Sequence, residues 1–110
     1  MNQYARNRES RMEDIFVDKF GCRLVEDTSR RTQGLGDKIF ESTNGHLLVV
    51  DHKSTTGDKM ITLKKEWMDK INKEAKRFHS QAMGLTTISF YGSSDMLVVM
   101  RLEDFELLIR

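Results

Sequence analysis

Asp37-Lys38-Ile39-Phe40-Glu41-Ser42-Thr43-Asn44-Gly45-His46-Leu47-Leu48-Val49-Val50-Asp51-His52-Lys53 is the stretch that decides the fold. Asn44-Gly45 between two strand-like runs is the strongest short-range hairpin signal a sequence carries, because both residues tolerate the backbone angles a tight turn needs. The spacing predicts arms at 37–41 and 46–53. Leu47 to Val50 is continuously apolar, so the second arm is expected to be a central strand covered on both faces. Side chains alternate along a strand, which puts Asp51 and Lys53 on one face and His52 on the other. Asp37 opens the first arm and so comes near the end of the second. Two carboxylates and an ammonium are therefore expected to converge at one edge of the sheet.

Toward the N-terminus, Met12, Ile15, Phe16 and Phe20 recur at helical spacing, predicting an amphipathic helix from about Arg6 to Phe20 that Gly21 ends. A short strand at 22–26 and a polar, glycine-bearing loop at 28–36 follow. Toward the C-terminus, a loop at 54–59 and a short extended piece at 60–62 lead to a helix from Leu63 to about Gln81. Its buried stripe is expected to be Trp67, Ile71, Ala75 and Phe78, with Trp67 as a core anchor. A strand at 85–91, a turn at 92–95, a strand at 96–100 and a short last helix, which Asp104 could cap, complete the chain. The order αβββαββα predicts one α/β domain over residues 1–110, a central mixed β-sheet flanked by helices.

Composition narrows the class. The 110 residues carry 18 Lys+Arg and 17 Asp+Glu, a net charge of +1, with 38% apolar residues. That balance excludes the disordered class. No apolar run approaches a membrane span, and the N-terminus lacks the apolar stretch of a secretory signal. Cys22, the only cysteine, rules out an internal disulfide and fits a reducing, cytoplasmic setting, where it serves as a small buried hydrophobe. The small size without accessory domains suits a phage or prokaryotic protein. The net charge does not advertise a nucleic-acid partner, which usually meets a plainly basic protein.

The predicted convergence points to chemistry nonetheless. Two carboxylates at close range repel unless a cation lies between them. Mg²⁺, with Mn²⁺ as an alternative, takes one or two carboxylates, waters and phosphate oxygens. Such an ion activates water and offsets charge developing on phosphorus, while Lys53 would orient the attacking water. Asp37 and Asp51 are thus candidate ligands for metal-assisted phosphodiester hydrolysis. An Asp-x-Lys pair alone is commonly a solvated surface pair worth under about 1 kcal/mol. The combination is what points further: an Asp after a glycine loop, a hairpin, an apolar strand core, then Asp51-His52-Lys53-Ser54-Thr55.

Asp37, thirteen intervening residues and Asp51-His52-Lys53 resemble the PD-(D/E)xK nuclease signature, with Gly36 at the proline position. Within that superfamily the chain looks most like the archaeal-type Holliday junction resolvases. Arg8-Glu9-Ser10-Arg11-Met12 through Phe20-Gly21 is similar to their opening helix, and Val49 to Thr55 to their I-E-V-K-S-T run. The helix with Lys64-Lys65-Glu66 and Lys76-Arg77-Phe78, and the strand from Gly84 to Tyr91, extend the likeness over about residues 4–101. Asp51 stands where the family more often has Glu. The resemblance implies a restriction-endonuclease-like core. It also implies Glu9 as a further catalytic and metal-binding carboxylate, and the backbone carbonyl of His52 as a third ligand. Glu13, one turn on from Glu9, is the alternative.

Basic side chains gather around the expected site: Arg6, Arg8 and Arg11 on or before the first helix, Arg30 and Arg31 in the loop before Asp37, then Lys59, Lys64 and Lys65. With Ser54 they are candidate phosphate contacts, which give shape-based rather than base-specific binding. The expected activity is a Mg²⁺-dependent DNA endonuclease cutting branched DNA, four-way junctions above all. Symmetric cutting needs two sites and this domain holds one, so a C2 homodimer is expected, joined through apolar residues of the second helix or last strand. The alternatives are another nuclease of the superfamily, of the repair or restriction type, and a non-catalytic nucleic-acid-binding protein on the same fold.

Overall fold

A computed structural model describes residues 3–27, 38–55, 57 and 59–110, with the side chains of residues 3–8 outside the description. Five strands form one sheet in the order β1-β2-β3-β4-β5: β1 Arg23–Asp27, β2 Lys38–Glu41, β3 Leu47–Ser54, β4 Met83–Ser89 and β5 Met96–Val99. The first three pair antiparallel, β3 and β4 run parallel, and β5 returns antiparallel. A parallel pair requires a crossover, and α2 (Lys65–Phe78) supplies it. Helices α1 (Gln3–Asp14) and α3 (Leu102–Ile109) complete the α/β architecture.

The hairpin forms as expected. Ser42 and His46 close the turn, Gly45 donates to the Ser42 carbonyl, and Gly45 adopts φ +84°. That is the three-residue turn in which a left-handed glycine follows a type I bend. Its register pairs Lys38 with Val50 and Phe40 with Leu48. β3 is the middle strand, and its apolar run feeds two cores. Leu48 and Val50 join Met12, Phe16, Phe40 and Leu85 on the α1 side, with Leu108 of α3 packed against them. Val49 joins Ile39, Ile71 and Ala75 on the α2 side.

Several expectations are corrected. The first helix does not run regularly to Phe20: residues Ile15–Lys19 wind as a π-helical turn, closed by Phe20 N–H on the Ile15 carbonyl. The wider turn rotates Phe20 out of the stripe, leaving it 56% exposed while Met12 and Phe16 stay buried. Gly21 ends the segment at φ +70°. α2 is shorter at both ends than the predicted 63–81. Ile71 and Ala75 are its buried residues; Trp67 is half-buried and Phe78 exposed, so Trp67 is not the core anchor. β4 begins at Met83 rather than 85, and all seven of its residues are buried. Asp104 does not cap α3. It lies inside the helix, buried, and holds Arg101 through two bonds of 3.1 and 3.2 Å. Cys22 is buried as expected, and burial pushes its thiol pKa up.

At Gly84 on β4 the backbone of α2 lies close against the sheet. A Cβ there would come within 2.8 Å of the Ile71 backbone and of Asn72 Oδ1. No helix among the described residues is long and apolar enough to cross a membrane.

Candidate active site

β3 carries Asp51 and Lys53 past the apolar run, on the face toward α2. Their side chains pair at 3.1 Å, and both are partly exposed. The Lys53 ammonium also lies 5.1 Å from the ring centre of Trp67, a favourable position for a cation over an indole face. Trp67 comes from the first turn of α2, and the Lys64 ammonium stands 6.0 Å from the same ring. Asp51, Lys53, Trp67, Lys70, Ile71 and Glu74 line a largely polar pocket of about 190 Å³.

The other face of the same sheet end carries a second charged group. Lys38 of β2 projects toward α1, in register with Val50. Its ammonium reaches Glu13 at 2.6 Å and Asp27 at 3.4 Å. Burial pulls its pKa down, but the hydrogen bond it donates to Glu13 and the charges of Asp27, Glu13 and Glu9 outweigh burial, so it is raised. Lys38 therefore stays charged throughout the neutral range. Glu9 lies beside this group. Burial raises its carboxyl pKa most; Lys38 lowers it, and Asp27, Asp51 and Glu13 raise it again, leaving it above its ordinary value. The charge of Asp51 thus also reaches Glu9.

His52 takes the α1 face, as alternation requires. Its Nδ1 is 2.7 Å from Thr87 Oγ1 and its Nε2 3.2 Å from Ser89 Oγ, which fixes the ring against β4. The strand geometry leaves its imidazole out of the Asp51–Lys53 pair.

The candidate contacts divide. Asp37, Arg30 and Arg31 lie outside the described residues, as do the side chains of Arg6 and Arg8. The Arg11 guanidinium donates to the Ser94 carbonyl at 2.6 Å, tying α1 to the β4–β5 turn. The Ser54 hydroxyl is buried with no partner among the described residues. Lys65 pairs with Asp69 at 2.9 Å, one helical turn on. Lys59 and Lys64 are exposed. Lys38, Asp27 and Trp67 were not singled out from sequence as site residues. Lys38 did leave a signal: it shares a strand face with Phe40, so a charged residue stands in a core-facing position.

The donors that Glu9 and Asp51 offer are all carboxylate oxygens, the chemistry a hard divalent cation such as Mg²⁺ accepts. Among the described residues, no three His, Cys, Asp or Glu side chains come together as a metal-binding group. The ammonium of Lys38 lies among Glu9, Glu13 and Asp27 instead. Compared with known proteins, the chain matches no family model, no curated sequence and no solved structure.

Proposed function

We propose that the chain is a Mg²⁺-dependent DNA endonuclease on a restriction-endonuclease-like core, acting on branched DNA with four-way junctions as the principal substrate. The observation that carries this reading is the Asp51–Lys53 pair, 3.1 Å apart at the end of the central strand, with the Glu9 carboxyl near enough for the charge of Asp51 to raise its pKa. The strand order, three antiparallel strands and then a helical crossover to a parallel fourth, supports it as well.

Asp37, Asp51 and Glu9, with the His52 carbonyl, would hold the ion. Mg²⁺ when bound supplies an acidified water and offsets charge developing on phosphorus. Lys53 orients the attacking water and meets the phosphate oxygens, and the Trp67 face limits where its ammonium can swing. Lys38 engages Glu13 and Asp27, which favours Glu9 over Glu13 as the helix-borne ligand. Lys59 and Lys64 remain available to the phosphate backbone. A C2 homodimer would supply the second cut. The apolar stripe of α2 is buried against the sheet, whereas Val98, Leu102, Phe105 and Ile109 of β5 and α3 are exposed, which favours that end of the molecule for the contact.

The test is cleavage of a synthetic four-way junction, a flap and a linear duplex, with Mg²⁺ and with EDTA. The junction should be cut fastest and only with the metal. Equal rates on all three would move the assignment to a repair or restriction-type nuclease. A non-catalytic nucleic-acid-binding role is the second reading, favoured by the ammonium of Lys38 within the carboxylate group. It requires no cutting of any substrate and DNA behaviour unchanged by Asp51→Asn.

A further inference from the structure

Trp67 is the shared wall of two cavities. One holds Asp51 and Lys53. The other, about 240 Å³, lies over β4 and β5 at the start of α2, bounded by Leu63, Trp67, Met68 and Val99, with Lys64 among its lining residues. Thr86 also lines it and is only 1% exposed. Its hydroxyl is buried and has no hydrogen-bond partner among the described residues. A buried hydroxyl left unpaired is costly, so an unpaired one in a cavity wall marks a place where a ligand's polar atom belongs. In the parallel β3–β4 register Thr86 is the neighbour of Asp51, which puts this cavity directly beside the polar one.

Apolar walls, one indole face, a single unsatisfied hydroxyl and a lysine beside them suit a flat heterocycle attached to an anion. We propose that Trp67 and Thr86 form a subsite for one unpaired nucleobase, flanking the phosphodiester held at Asp51 and Lys53. The base packs against Trp67, an edge atom meets the Thr86 hydroxyl, and Lys64 swings from the ring to the adjoining phosphate. A paired, stacked base cannot enter. A base at a branch point, a loop or a single strand can, since it has no stacking partner to give up. This inference rests on the nuclease reading and adds to it a reason for preferring branched over continuous duplex DNA.

Trp67 is the only tryptophan, so the emission comes from this shared wall, and an abasic strand separates the base subsite from phosphate binding at Lys53. The probes are a thymidine tetranucleotide, an abasic tetranucleotide of equal charge and a blunt duplex, each titrated into the full chain in EDTA. The base-bearing strand should quench the emission and bind roughly tenfold more tightly than the abasic one, the scale of one base on one aromatic ring. The duplex should leave the emission unchanged. By strand-binding anisotropy, Trp67→Ala should lose the preference for the base-bearing strand, and Trp67→Phe should keep most of it. Thr86→Val should narrow the differences among the four homotetranucleotides. Equal binding of the abasic and base-bearing strands, or an unaltered preference in Trp67→Ala, would overturn the subsite; an unchanged ranking in Thr86→Val would remove Thr86 from it. Base-dependent quenching by a protein that cuts nothing with Mg²⁺ would sink the nuclease reading and leave the subsite standing. Cutting without such quenching would do the reverse.

Discussion

Two lysines, Lys38 and Lys53, stand on neighbouring strands at the same end of the sheet, and their surroundings differ. Lys38 faces α1, its side chain 10% exposed, held between Glu13 and Asp27. Lys53 faces α2, 35% exposed, paired with Asp51 beneath open solvent and lying over Trp67. The first is a cation enclosed by anions, and its role is to keep α1, β1 and β2 together. The second can exchange its carboxylate for a phosphate or a water without exposing a buried charge. Equal formal charge thus gives a structural lysine on one side and a chemically available one on the other.

The largest effect that would sharpen this contrast is on the available side. Asp51→Asn should lower Mg²⁺-dependent junction cutting by at least about a thousandfold while leaving junction binding in EDTA largely intact, read by single-turnover cleavage and gel shift. Retained cutting would remove Asp51 from the metal site. On the structural side, Lys38→Met leaves Glu13 and Asp27 facing each other and Glu9 without their cation. An expected loss of about 2–3 kcal/mol, below the full value for a buried pair because Glu13 is partly exposed, should appear in urea unfolding at pH 7. Lys53→Met is the counterpart: a stability change under about 1 kcal/mol, as for other partly exposed pairs, together with a clear loss of cutting. Equal destabilisation by the two lysine variants would break the contrast.

A smaller effect comes from Glu9. Its raised carboxyl means the folded protein holds its proton more tightly than the unfolded chain does. Stability should therefore fall as pH rises from the ordinary carboxylate value of 4.5 through the raised one. Glu9→Gln removes that penalty. It should be slightly more stable than wild type at pH 7 and no more stable below pH 4.5, read as Tm against pH. The least effect belongs to Lys65→Ala, whose exposed i,i+4 pair with Asp69 is worth about 0.3–0.5 kcal/mol.

The hairpin and the central strand were legible because their signals are local: a turn glycine, and an apolar run flanked by alternating side chains. The opposite faces of Lys53 and His52 followed from the strand period alone. The Lys38 group was not legible, because it depends on pairing between distant segments and on an irregularity. Between Leu24 and Glu26 the β1–β2 register slips by one residue. Regular pairing would have set Glu26 opposite Lys38; the bulge puts Asp27 there. Nothing near residue 25 announces such a bulge. Trp67 was misjudged for a different reason. Helical spacing puts it in line with Ile71 and Ala75, but its ring stays half-buried and borders two cavities instead of filling a core.

Gly84 has the longest reach of any small residue here. Because it carries no side chain, α2 rests with its Ile71 backbone almost on β4. That contact is a fulcrum. Trp67 lies one helical turn toward the N-terminus from Ile71, and Asp51 lies two residues beyond Val49, the strand partner of Gly84. A single methyl at 84 would lift the helix about this point, and the lever arm would carry Trp67 away from Lys53. The spacing between the indole and the acidic strand end is therefore set at a distance, by an atom the chain leaves out.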